Sequence, residues 1–325
     1  MNTHALLHAY VLDGLGSARA LTFEEIPNQL SDNESLWLHW AMHHEDTKKW
    51  LYQHSPLNEF DCDILLDENM RPRLIQRNEE EILVFLRTIN NPALNADSDL
   101  LPLRLCLLPD CLISLRDART GFAEQLIEAF KAGKGPKNAN ELLLFFANAS
   151  TDNIEEKINQ LVDFVDEQEE KIDTDAGFVI NHKEMIEARR AAANLRKILA
   201  PERDMFTQLA QKQDAWYSLG LIRHWSELSN NLTRFVEELE LSRERVGFIL
   251  ETERRQREER TGRIMFYLTV ITGFFLPLSF FTGLLGINVG GIPLAENSYG
   301  FFIVCALLLG VMVIQLVLLR WLRWL

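Results

Sequence analysis

The chain has 325 residues and a formal charge of −14, with 47 Asp and Glu against 33 Lys and Arg. That acidic excess argues against nucleic acid as a partner, because proteins that bind it neutralise phosphate with clustered Lys and Arg; it suits a cation instead. The length accommodates two modules of ordinary size.

Residues Met1 to Asp13 show no basic segment followed by an apolar run and a small-residue cleavage site, so the N-terminal domain is expected to stay cytoplasmic. Cys62, Cys106, Cys111 and Cys305 are too few for a disulfide framework in a chain of this length and fit a reducing compartment. There is no phosphate-binding glycine loop, nucleophile elbow or Ser/His/Asp arrangement in recognisable context, which leaves an enzyme reading without support.

Before Thr120 the sequence reads as short strands and small helices broken by Asn90-Asn91-Pro92 and Pro109-Asp110. The runs Ile82–Ile89 and Leu103–Leu108 are rich in β-formers, and Cys111–Arg116 completes a hairpin across Pro109-Asp110. An α+β cytoplasmic domain follows, assigned to residues 1–200. Within it His39, His43, His44, Glu45 and Asp46 crowd together. The spacing from His39 to His43 would place two imidazoles on one helical face as metal ligands. Against that, Trp37-Leu-His-Trp reads as a strand end and His43 to Asp46 as the acidic start of a solvated helix. Cys106 and Cys111 sit in apolar runs and read as core thiols.

From Gly121 to Ala200 the pattern is helical, with Phe122, Leu126, Ile127 and Phe130 on one face and Ile154, Ile158, Leu161, Val162 and Val165 on another; Gly133 to Pro136 separates the two. Pro201 is expected to close this region. A single long helix is predicted from about Asp214 to Ile287, on the order of 110 Å at 1.5 Å per residue. Residues 201–263 are its cytoplasmic stalk, and 264–325 form the membrane domain.

No charged residue lies between Arg263 and Glu296. Residues 264–285 and 299–319 give two apolar stretches of about 20 residues, each near the length that spans a hydrocarbon core of roughly 30 Å, with 286–298 as the loop. Arg254, Arg255, Arg257, Arg260 and Arg263 precede the first span and Arg320 and Arg323 follow the second, which places both termini inside. Trp321 and Trp324 suit interfacial anchors.

Two spans from one chain cannot enclose a hydrated pathway, so transport requires an oligomer. Heptad steps along the first span collect Met265, Thr272, Ser279 and Gly286, with Leu268 or Thr269, Leu276 and Gly283 interleaved. This small, weakly polar stripe fits a pore lining with apolar constrictions at Met265, Leu268 and Leu276, although taken alone it is more often the mark of close helix packing. Glu244, Glu251 and Glu258 continue the register down the stalk, either attracting cations or forming a solvated coiled-coil face beside Arg255.

The stretch Gly283-Leu-Leu-Gly286-Ile287-Asn288-Val-Gly-Gly-Ile-Pro293 opens the loop. Gly286-Ile287-Asn288 resembles the Gly-x-Asn signature of the CorA superfamily of divalent-cation channels and transporters. The resemblance extends from Phe275 through Pro293, to the Trp- and Arg-bearing C-terminus and to Pro201-Glu-Arg-Asp204. Where the magnesium branch has Met at the middle position, Ile287 followed by Val-Gly-Gly-Ile-Pro looks like the ZntB zinc-transporter branch. The resemblance implies a homopentamer in a bacterial-type cytoplasmic membrane, with first spans around the axis and an Asn288 ring at the outer mouth. It also implies zinc as the transported substrate, coupling to protons, and no cofactor. Lipid, protons and divalent cations are then the partners.

The loop carries no Cys or His and Glu296 is its only charged side chain, so its acceptors are hard oxygens that do not select zinc by themselves. The first span has no Asp, Glu or His to carry a proton. A CorA-like magnesium, cobalt or nickel channel, zinc export, and a non-transporting ion-sensing receptor remain open.

Overall fold

The computed structural model describes residues 5–27, 29–68, 71–78, 81–89, 100–117, 121–174, 178–212, 219–287, 292 and 297–321. Seven strands form one sheet: β1 (Leu6–Leu12), β2 (Ala18–Ala20), β3 (Ser35–Ala41), β4 (Arg73–Gln76), β5 (Ile82–Ile89), β6 (Leu100–Leu108) and β7 (Cys111–Arg116), in the order β2-β1-β3-β7-β6-β5-β4. All pairs are antiparallel except β3 with β7, which run parallel from Leu36 opposite Cys111 to Ala41 opposite Arg116. The expected hairpin is β6–β7, closed through Pro109-Asp110.

The sheet is covered on both faces, which is why its central strands read as continuous apolar runs rather than alternating ones. The two-residue side-chain period sorts them. Ile82, Val84 and Leu86 join Leu103, Leu105, Leu107 and Trp37 in one core, while Leu83, Phe85, Cys106, Ile113 and Trp40 join the other. The second core is closed by α1 (Glu45–His54) and α2 (Glu59–Leu66) through Trp50, Leu51, Cys62 and Leu65. The first is closed by α3 (Phe122–Lys131), α4 (Ala139–Thr174), α5 (His182–Ala210) and the N-terminal part of α6 (Leu219–Leu285). Gly133, at φ +67°, ends α3 in the left-handed conformation that a side chain would resist.

Pro201 does not close the helical region; α5 runs through it to Ala210. Proline removes one intrahelical bond, but Ile198, Leu199, Met205 and Phe206 on either side are all buried, and that packing outweighs the local cost. The long helix α6 has 67 residues, about 100 Å at 1.5 Å per residue, and contains Pro277. The final helix is α7 (Gly300–Trp321). The chain divides into two compact units, Met1–Ile249 and Leu250–Leu325, and α6 contributes to both.

In the first unit, Trp225, Leu232, Phe235 and Leu239 of α6 enter the core, and Arg245 forms ion pairs with Asp166 and Glu169 of α4. Pro201's neighbour Glu202 is 2 % exposed, and its Oε1 accepts the Arg87 backbone N–H at 2.7 Å. Arg87 lies past Phe85, where the pairing of β5 with β4 stops, so a side chain supplies what the strand lacks. Ser150 of α4 donates to the Arg87 carbonyl at 3.4 Å.

Burial pushes the Glu202 carboxyl up to about 8 from an ordinary 4.5, against the opposing effect of the Arg87 N–H. The folded state therefore holds this proton where the unfolded chain releases it, and stability falls as pH rises from 4.5 to about 8. Glu202→Gln keeps an acceptor oxygen and removes the titration. Thermal melting across that window is expected to show the wild type losing stability relative to Glu202→Gln; parallel curves would contradict the assignment.

Candidate functional site

Two described helices are long and apolar enough to cross a membrane, α6 in its C-terminal part and α7, and the apolar window of neither is buried within the protomer. Phe275, Leu276, Phe280, Phe301, Phe302 and Val317 all stand exposed. A surface of this kind is stable only against lipid or against further copies of the chain.

Met265, Thr272, Ser279 and Gly286 lie along α6 and the turn that ends it, about 32 Å from first to last and so matched to a hydrocarbon core of about 30 Å. On a straight helix such positions drift by only about 20° per heptad, so they share one face with Leu276 and Gly283. Thr269 Oγ1 donates to the Met265 carbonyl at 2.7 Å and Thr272 Oγ1 to the Leu268 carbonyl at 2.8 Å. With their protons turned back onto the helix, these hydroxyls offer acceptor lone pairs, the polarity that water around a cation requires. A Cβ built on Gly283 meets nothing within 4 Å, so contacts inside the protomer do not explain the small residue there.

At the end of α6 the Gly286 N–H bonds back to the Thr282 carbonyl at 2.9 Å, and a Cβ on Gly286 would lie 2.9 Å from that same oxygen. Glycine therefore permits the tight turn from which Ile287, exposed, leads on. Asn288 and Glu296 lie outside the described residues.

Glu251 accepts from Arg254 at 3.2 Å and Arg255 at 3.3 Å, and Glu258 pairs with Arg254 at 3.5 Å. The hydrogen bond from Arg254 holds the Glu251 carboxyl below its usual range. Two of the three stalk acids are thus compensated on their own helix; Glu244 lies one heptad before Glu251, on the same α6.

His39 and His43 do not share a helical face. His39 sits in β3, 3 % exposed, with Nδ1 2.8 Å from Ser114 Oγ and the ring stacked on His8. His43 lies in the following turn and pairs with Asp117, while His44 caps α1 by accepting the Asp46 N–H at 3.2 Å. Among the described residues no group of three or more His, Cys, Asp and Glu is placed to hold a metal ion. Cys106 is buried and burial raises its thiol; Cys111 is pushed up to about 12 by the same cause.

One contact went unread in the sequence. Gln315 Nε2 on α7 lies 3.3 Å from the Gly273 carbonyl oxygen of α6. Two signals in the sequence point to it: Gln315 is the lone amide in an apolar helix, and Pro277 stands four residues after Gly273.

The family described as CorA-like Mg2+ transporter protein matches residues 32–322. The chain is 42% identical over 322 residues to the divalent cation transporter CmaX of Pseudomonas aeruginosa, covering 98% of this chain and 97% of that protein. It is 28% identical over 307 residues to the zinc transport protein ZntB of Yersinia pseudotuberculosis, covering 93% and 90%. The structure of full-length CmaX matches with a TM-score of 0.88 at 41% identity, covering 100% of this chain and 99% of that one. The complete structure of the CorA magnesium transporter from Methanocaldococcus jannaschii shares the fold at a TM-score of 0.75 and 20% identity, over 96% and 97% of the two chains.

His39 separates packing from ligation in a measurement. Burial lowers it from 6.5 to about 3, so it stays neutral, and the stability it contributes is complete above pH 6.5 and lost as pH falls towards 3. His39→Ala should cost about 2–4 kcal/mol in unfolding. The melting shift produced by added zinc should equal that of the wild type; loss of the shift would make His39 a ligand.

Proposed function

The chain belongs to the CorA family of divalent-cation transporters, and on that premise we propose that it is a homopentameric zinc transporter coupled to protons, mediating uptake. A transporter or channel rather than an enzyme is the family's activity. The observation that carries the zinc reading is Ile287 between Gly286 and Asn288, followed by Val-Gly-Gly-Ile-Pro, together with likeness to proteins named for zinc transport.

A pentamer accounts for the unpartnered small stripe of α6: five copies around an axis turn Thr272, Ser279 and Gly283 towards a common pathway, with Met265, Leu268 and Leu276 as apolar constrictions. The Asn288 carboxamides form the outer ring and hydrogen-bond the waters of a hydrated cation, selecting by size and charge density. Glu296 adds negative charge to that mouth. With the arginines before α6's apolar segment and Arg320 after α7's, both termini lie in the cytoplasm of a bacterial-type inner membrane.

Direction follows from magnitude. Two charges crossing a potential of about 100 mV, negative inside, gain about 4.6 kcal/mol on the way in, so uptake is the downhill course. The apolar segment of α6 has no Asp, Glu or His, so a coupled proton enters or leaves through groups at its ends.

A magnesium, cobalt or nickel channel is the second reading, favoured by the all-oxygen side-chain chemistry of the loop and by a CmaX name that specifies no metal. Zinc uptake into proteoliposomes, with and without an inward proton gradient and with magnesium and cobalt in parallel, separates the two. Zinc flux accelerated by the gradient is expected. Gradient-independent magnesium flux would move the protein to the second reading, and no flux of any metal would leave a receptor. Asn288→Ala and Asn288→Leu are expected to reduce zinc flux to background while the oligomer stays intact by size-exclusion chromatography; normal flux in both removes Asn288 from the mechanism.

A further inference from the structure

Proline cannot donate a backbone hydrogen bond, so Pro277 leaves the carbonyl four residues earlier, that of Gly273, without its intrahelical donor. In hydrocarbon no water replaces that donor, and an unsatisfied carbonyl there is costly. The atom that lies against this carbonyl, at 3.3 Å, is Nε2 of Gln315 on α7. Chemistry fixes the amide's orientation, since a carbonyl accepts and only the NH2 end of the side chain donates. Between Phe301 and Leu319 every other side chain of α7 is apolar or a thiol, so Gln315 is the one residue of that helix built to make such a bond.

We infer that Gln315 is a positioning residue for the pore-lining helix: it replaces the hydrogen bond that Pro277 removes and fixes the course of α6 beyond the proline against α7. Ser279, Gly283 and Gly286 all follow Pro277, and Met265 and Thr272 precede it. The bond therefore sits at the joint between the two halves of the stripe and sets how the outer half faces the pathway. The flux consequence rests on the transport reading; the pairing of Gln315 with Pro277 does not.

The test is a double-mutant cycle on the full-length protein in liposomes with Gln315→Leu, Pro277→Ala and the two combined. Pro277→Ala restores a backbone N–H to the Gly273 carbonyl and makes Gln315 dispensable. Gln315→Leu alone should raise the half-saturating zinc concentration roughly threefold to tenfold, the scale of one interhelical hydrogen bond in a membrane, and lower the melting temperature. In the Pro277→Ala background the same substitution should change neither. Equal effects in both backgrounds, or none in either, overturn the inference. If Gln315→Leu fails to assemble, the combined variant should assemble; its failure as well also overturns it. If the wild type passes no zinc, the transport reading fails, and the melting temperatures alone decide the inference by the same comparison.

Discussion

Backbone polar groups have no water to turn to inside a bilayer, and most of the membrane unit follows from that. It forces residues 264–285 and α7 to be helices, whose bonds close within the segment. It makes every departure from helical bonding a liability that a neighbour must relieve, which is what Gln315 does for Gly273 beside Pro277. It also makes an isolated protomer incomplete as a conductor, because two helices cannot surround an ion. A Cβ at Gly283 of α6 would meet no atom within 4 Å, so contacts inside the protomer do not account for the small residue there.

The water-soluble unit obeys the opposite rule, in which apolar burial supplies the driving force and polar groups are the exceptions that require partners. Arg87 shows the rule at a sheet edge: with β4 ended, its N–H and carbonyl are taken by Glu202 and Ser150 from two different helices. His39, Trp37 and Ser114 form a second buried polar group, in which the Trp37 indole donates to Ser114 Oγ at 2.9 Å. His39 Nε2 is buried with no hydrogen-bond partner among the described residues, and no group of three or more His, Cys, Asp and Glu among them is placed to turn this imidazole into a metal site.

The features set by local pattern were legible in the sequence: the apolar segments, the long helix, the β6–β7 hairpin across Pro109-Asp110, and the helical faces of Phe122 and Ile154. Their signals lie within a few turns or strands of themselves. Features set by long-range packing were not legible. Burial on both sides carries α5 through Pro201, and the parallel pairing of β3 with β7 joins residues about 75 positions apart. At the candidate site the stripe could be read from its seven-residue period, but the pairing of Gln315 with Gly273 required knowing which faces of two helices meet. Asn288 and Glu296, the residues on which the ion-binding reading leans most, fall outside the described residues.

The central claim is that the Thr272–Ser279 face of α6, and not the opposite one, lines the path of the cation. In a cysteine-free background, Thr272→Cys and Ser279→Cys can be compared with Phe274→Cys and Phe281→Cys, which lie about 200° around the helix from them. Zinc uptake into proteoliposomes is measured before and after a cationic thiol reagent. The account predicts that modification blocks uptake at 272 and 279 and leaves it unchanged at 274 and 281. Equal block on both faces, or block confined to the phenylalanine positions, would contradict it.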